Sequence, residues 1–191
     1  MANKVKYGLK NVHYAVATIA TNGTATYGSP VAWPGAVNLS LDAEGDTSKF
    51  YADNIAYAQF ATNAGYSGDF ESALIPDSFK IACLGYATDS KGVLYEDAGA
   101  PVVPFALMFQ FEGDQEATRH VLYNCVATRP SVSGATKEDT TEPQTETCSI
   151  ECASIYNAAL AKDIVKASAA YSTTTTDPYY TWFDTVYQPT A

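Results

Sequence analysis

Few residues in this chain have both the type and the spacing for chemistry. The two histidines are His13 and His120, and neither stands near the Gly-x-Ser-x-Gly elbow that presents a nucleophile to a base. His120 falls on the polar side of an alternating run, where a solvated role is expected. The run Asp42, Glu44, Asp46, with Asp53 at the twelfth place, copies the ligand spacing of a calcium loop. Its sixth place is Thr47 where the turn needs glycine, and it ends on Asp where Glu is usual, so it reads as an acidic hairpin tip. Glu146 and Glu151 fit no carboxylate-pair motif, and no Gly-x-x-x-x-Gly-Lys phosphate cradle occurs. Cys148 and Cys152 lack the second ligand pair of a structural zinc site. No catalytic residue, metal or cofactor is expected, and the chain is expected not to be an enzyme.

The four cysteines, Cys83, Cys125, Cys148 and Cys152, read as buried small hydrophobes. Cys148 and Cys152 share a strand pattern, which puts their Cα atoms roughly 13 Å apart at about 3.3 Å per residue, beyond disulfide reach. The opening residues carry lysines but are broken by Gly8, Lys10, Asn11 and His13, so no signal-peptide core is read and folding in the cytosol is expected.

Of 191 residues, 47% are apolar and 17% charged, a globular composition. No run approaches the ~18 apolar residues of a membrane span, so a soluble protein without a membrane partner is expected. The net charge of -10 is unevenly spread. Residues 1–41 hold Lys4, Lys6 and Lys10 and no acid, which leaves an acidic body that repels nucleic acid. A single domain over 1–191 is expected, with an N-terminal arm (1–11), a core (12–155), and a C-terminal helix with an aromatic end (156–191).

The elements that must position these residues are mostly strands. Val12, Tyr14 and Val16 alternate with His13, Ala15 and Ala17, and Val37, Leu39 and Leu41 with Asn38, Ser40 and Asp42. Strands are also expected over 50–60 and at Phe70, Ser72 and Leu74, with Gly45, Gly65 and Gly68 as turn points. Phe79, Ala82, Cys83 and Tyr86 recur at helical spacing behind Pro76, which predicts one short helix. In the run 102–112, Phe105, Leu107, Phe109 and Phe111 form a core face, paired through a hairpin with 117–128. Residues 130–144 read as an exposed loop, and Cys148, Ile150 and Cys152 alternate with Thr147, Ser149 and Glu151 in a last core strand. The alanine-rich 156–170 predicts a helix, and Tyr179, Tyr180, Trp182, Phe183 and Tyr187 must dock on the body or on a neighbour. The fold class is mainly β, an antiparallel sandwich with one short flanking helix, a long hairpin loop and two arms.

Several stretches carry a resemblance: Tyr7-Gly8-Leu9-Lys10-Asn11-Val12-His13-Tyr14, Pro34-Gly35-Ala36-Val37-Asn38-Leu39, Phe50-Tyr51-Ala52-Asp53-Asn54 and Leu84-Gly85-Tyr86. Phe105-Ala106-Leu107-Met108-Phe109, Tyr123-Asn124-Cys125, Lys137-Glu138-Asp139 and Trp182-Phe183-Asp184-Thr185-Val186-Tyr187 follow in order. Together they resemble the major tail (tail-tube) protein family of siphophages of Gram-positive bacteria. The resemblance implies a tail-tube β-sandwich that forms hexameric rings and stacks them into a tube. It also implies tape-measure and tail-tip partners, a place in the virion after synthesis in the host cytoplasm, and DNA passing through the bore without specific binding. It brings no catalytic residues.

Under that reading, Asp42, Glu44, Asp46 and Asp53 mark a ring-stacking loop, and Lys4, Lys6, Lys10, Trp182, Phe183 and Tyr187 mark inter-subunit arms. Two polar faces qualify for the lumen, one with Thr145, Thr147, Ser149 and Glu151, the other with Thr118, His120, Asn124 and Thr128. The alternative is a β-sandwich binding or adhesion module.

Overall fold

The computed structural model describes residues 3–136 and 143–190. Its strands are β1 (Lys6–Ile19), β2 (Ala25–Tyr27), β3 (Val31–Ala32), β4 (Ala36–Glu44), β5 (Thr47–Ala52), β6 (Ile55–Ala61) and β7 (Gly65–Ser72). Helix α1 (Asp77–Cys83) follows, then β8 (Tyr86–Thr88), β9 (Leu94–Glu96), β10 (Phe105–Gly113), β11 (Thr118–Ala127) and β12 (Glu146–Ala153). The chain ends with β13 (Ile155–Asn157), β14 (Lys162–Ile164) and β15 (Lys166–Ala170). The fold is mainly β, and every strand pairing described is antiparallel.

The main sheet runs β2-β1-β10-β11-β12-β7-β4, with β3 on β1 and β15 on β11. It folds over on itself. Val12, Tyr14, Phe105, Leu107 and Leu122 from one half share a core with Phe70, Cys148, Ile150 and Leu39 from the other, an arrangement consistent with a β-sandwich. Strand β11 makes the crossing. Its Thr118–Leu122 stretch pairs with β15 and its Asn124–Ala127 stretch with β12. A register shift against β10, between Phe105 and Leu107, marks the change. An extra residue at such a bulge bends and twists a strand, which lets it leave one layer for the other.

Helix α1 closes one end of the core with Phe79 and Cys83. Phe79 packs on Trp33 at 4.3 Å between ring centroids, and Trp33 Nε1–H donates to Ser72 Oγ at 3.1 Å. This satisfies the polar edge of a fully buried indole. Strand β1 carries two irregularities, between Tyr7 and Leu9 and between Lys10 and His13. Gly8 (φ 63°) and Asn11 (φ 52°) supply the left-handed conformations there.

Gly68, expected at a turn, lies inside β7, and Gly65 opens that strand. Gly68 stands between Leu41 of β4 and Ile150 of β12, and a Cβ there would sit 2.0 Å from the Ser40 carbonyl oxygen. Gly68→Ala is expected to push β4 off β7 and cost roughly 2–3 kcal/mol. The check is a lower urea midpoint at unchanged slope.

Two boundaries differ from the sequence expectation. The N-terminal arm over 1–11 is shorter, because β1 starts at Lys6 and pairs with β10 from Gly113 inward. The C-terminal helix over 156–170 does not form, and β13, β14 and β15 occupy that stretch. Helix propensity is a weak prior, and here it loses to the edge that β11 exposes where it parts from β12. Residues Lys166–Ala170 fill that edge opposite Leu122–Thr118, with Ala167 and Ala169 turned toward the core. Of the loop expected over 130–144, residues 137–142 lie outside the described residues. Among the described residues no helix is long and apolar enough to cross a membrane.

Candidate functional site

Strands β5 and β6 form a ribbon whose described pairing is with each other alone. Asp53 (φ 52°) and Asn54 (φ 63°) both take the left-handed conformation between the paired residues Ala52 and Ile55. This is the two-residue turn whose twist matches a hairpin, and Asp and Asn are among the residues that tolerate it. The ribbon exposes Phe50, Tyr51, Ile55, Tyr57 and Phe60, from 58% at Phe50 to 69% at Tyr57. A lone two-stranded ribbon is marginal in water, and an apolar set this dense marks a contact surface.

At the ribbon's base, Thr62 N–H donates to the Asp46 carbonyl (2.9 Å) and Asp46 N–H to Thr62 Oγ1 (3.0 Å). Of the four acids expected in one loop, Asp46 is at this base and Asp53 at the far tip, while Asp42 and Glu44 belong to β4. The structure does not gather them. Among the described residues no group of three or more His, Cys, Asp or Glu is placed to hold a metal ion.

Asp42 and Glu44 contribute to a different surface. The outward residues of β4, β7 and β12 align in rows: Asn38, Glu71 and Thr147, then Ser40, Asp69 and Ser149, then Asp42, Ser67 and Glu151. Glu44 extends the same edge. None of the three strands contains a lysine or arginine. Neighbouring hydroxyls donate to three of the carboxylates, Ser149 Oγ to Asp69 (2.7 Å), Thr145 Oγ1 to Glu71 (2.6 Å) and Ser67 Oγ to Glu44 (2.5 Å). The expected lumen set Thr145, Thr147, Ser149 and Glu151 therefore lies in one acidic, hydroxyl-rich face.

The second expected face is split. Thr128 N–H bonds the Ser149 carbonyl (2.9 Å) and Asn124 opposes Ala153, so both border the acidic face. Thr118 and His120 lie beyond the register shift, on the β15 side. His120 is half-buried, its ring stacked on Phe109 at 5.3 Å and edge-on to Phe111 at 5.5 Å. It lines a cleft of about 190 Å³ with Lys6, Tyr66, Phe111 and Lys166.

Burial, reinforced by Lys6 and Lys166, depresses the His120 imidazole to about 4. The fold favours the neutral ring, so the unfolded chain takes up the proton first as pH falls below about 6.5. This contribution is complete above about 6.5 and is lost as pH drops toward 4. His120→Phe, which preserves the ring packing, is expected to flatten that part of the stability profile relative to the parent. Urea midpoints of both proteins at steps between pH 7 and 4 test it.

Both segments expected to reach a neighbour lie on their own body. Asn3 Oδ1 accepts from the Gln115 and Glu116 N–H groups, and Asp114 Oδ1 accepts from Lys4 N–H at 2.7 Å. Lys6 Nζ sits over the Phe111 ring and Lys10 pairs with Glu112, so the three lysines are held along the β10–β11 hairpin. At the other end, Trp182 is 1% exposed and packs with Ala15, Ala106, Met108, Val121 and Tyr123. Tyr187 stacks on Trp182, and Phe183 on His13. Arg119 places its guanidinium over Tyr179 (4.0 Å) and Phe183 (4.9 Å).

The physical reason is that β10 is apolar on both sides. Phe105, Leu107 and Phe109 face one core, while Ala106 and Met108 face another that needs a cover from within the chain. No protein-family model matches the chain, and no curated protein matches it.

Proposed function

We propose that the protein is a structural subunit that polymerises with copies of itself, the major tail protein of a siphophage, whose tail-tube fold builds the tube through which DNA is ejected. The observation that carries the reading is the β5–β6 ribbon, which exposes five large apolar side chains and pairs with no other strand described. A ribbon seated on a different surface of the next copy makes a head-to-tail contact, the kind that builds filaments instead of closed dimers.

The acidic face of β4, β7 and β12 supports the rest. Asp42, Glu44, Asp69, Glu71 and Glu151 without a base among them repel phosphates, so DNA moves past that face without being held. In this reading the face lines the bore of stacked hexameric rings, with tape-measure and tail-tip proteins as partners in the virion. The mechanism is geometric, and no bond is made or broken.

Negative-stain electron microscopy of concentrated protein, with sizing of the starting material, tests it. Rings or tubes are the expected result. A protein that stays monomeric even with a tail-tip nucleus supplied overturns the proposal and leaves the β-sandwich binding module.

A further inference from the structure

Cys125 and Cys152 occupy directly opposed positions on β11 and β12, and their Sγ atoms are 2.7 Å apart. Both residues are buried and both thiols are free. Opposed positions on antiparallel strands place Cα atoms about 4.5 or 5.5 Å apart, within the span of a disulfide. The other two cysteines stand elsewhere, Cys148 opposite Phe70 and Cys83 in α1.

We propose that Cys125 and Cys152 are a covalent modification site, a thiol pair that closes into a cross-strand disulfide when the protein meets a small-molecule disulfide such as oxidised glutathione. One cysteine thiolate attacks the glutathione disulfide and releases one glutathione thiol. The second cysteine then attacks the mixed disulfide and releases the other. Both protein thiols give up their protons, and the two electrons they lose reduce one glutathione disulfide to two thiols, so the exchange balances.

The position in the ladder explains how buried sulfurs react. The β11–β12 pairing runs from Ala127↔Ile150 to Asn124↔Ala153, so the cysteine rung is next to the last, where β11 departs toward β15. Burial and the neighbouring sulfur keep the Cys125 thiol protonated in the closed sheet, so exchange proceeds through local opening of that end. Once formed, the bond joins residues 27 apart in sequence across the point where β11 crosses between layers. The site stands independently of any assembly function.

The test uses the full chain, reduced and then incubated with oxidised glutathione in mild urea. Titratable thiols after denaturation should fall from four to two. Digestion with trypsin and a glutamyl endopeptidase, which cuts after Glu151 and so separates Cys148 from Cys152, should recover Cys125 linked to Cys152. Closing a loop of this length should raise Tm by about 10 °C, reversibly on reduction. Cys125→Ala and Cys152→Ala should each lose the bond and the gain. Four thiols surviving in urea that permits exchange, glutathione adducts alone, or a link to Cys83 or Cys148 would each overturn the proposal.

Discussion

Replacing residues 47–61 with Asn-Gly is expected to leave a folded subunit that no longer polymerises. The splice falls where Asp46 and Thr62 already bond across the ribbon's base, so a two-residue turn closes the β4–β7 hairpin without strain. Phe50, Tyr51, Ile55, Tyr57 and Phe60 belong to neither buried core, and the monomer therefore loses no packing with them. Full burial of each such side chain against a neighbour is worth ~1.5–3 kcal/mol. If ordering and desolvation leave only about 4 kcal/mol per contact, its loss weakens association about a thousand-fold. Repeated along a filament, that abolishes tubes.

The point variant Tyr51→Ser with Tyr57→Ser should reproduce most of this effect. Microscopy and light scattering read the assembly, and a thermal melt reads the monomer. Tubes of normal yield from the spliced protein would remove the ribbon as the contact and leave the proposed function without its main support.

The same ribbon shows what a linear pattern can convey. The aromatic density of 50–60 reads directly as strand, because β-branched and aromatic residues fit a pleated surface. That no sheet lies beneath it is a long-range fact, visible only in the pairing. Asp53 read as the last member of an acid cluster, and it stands apart from the other three acids, as half of the left-handed turn at the ribbon's tip. The outward polar face of β12 was legible because its alternation is clean, with Cys148, Ile150 and Cys152 buried between Thr147, Ser149 and Glu151. Its acidic neighbours Asp69 and Glu71 could be added only once β7 was placed beside β12.

The alanine-rich 156–170 failed for the opposite reason. Its helix propensity is local, and the vacant edge of β11 that claims Lys166–Ala170 is created some fifty residues earlier in the chain. Likewise the run 102–112 showed one core face, while the interleaved Ala106 and Met108 lie in a second core that Trp182, Val186 and Tyr187 cover.

Trp182→Ala is expected to lower the stability of the isolated subunit by about 3–5 kcal/mol, the range for truncating a buried aromatic. For a chain of this length that is a fall in Tm of about 12 °C. Trp182 fills the second core between Met108, Val121 and Tyr123, and its Nε1–H donates to the His120 carbonyl at 3.2 Å. The terminal segment is tied down again five residues later, where Tyr123 O–H donates to the Tyr187 carbonyl at 2.9 Å and the Tyr187 ring stacks on Trp182.

Removing the indole therefore empties a cavity and loosens the strap across β10 and β11. Trp182→Phe keeps most of the apolar contact and loses the hydrogen bond, which is worth about 1 kcal/mol when satisfied, so its melt should fall between the two. The experiment separates two roles for the aromatic end. Docked on its own body, it moves the monomer's Tm and affects assembly only through folding. A bridge to a neighbour would leave the monomer's Tm in place while tubes disappeared, and that outcome would reverse the assignment. The burial of Trp182 within one chain, together with the Arg119 contacts to Tyr179 and Phe183, supports the first. Under the proposed function, assembly then falls to the ribbon, whose Phe50, Tyr51, Ile55, Tyr57 and Phe60 are exposed on the subunit.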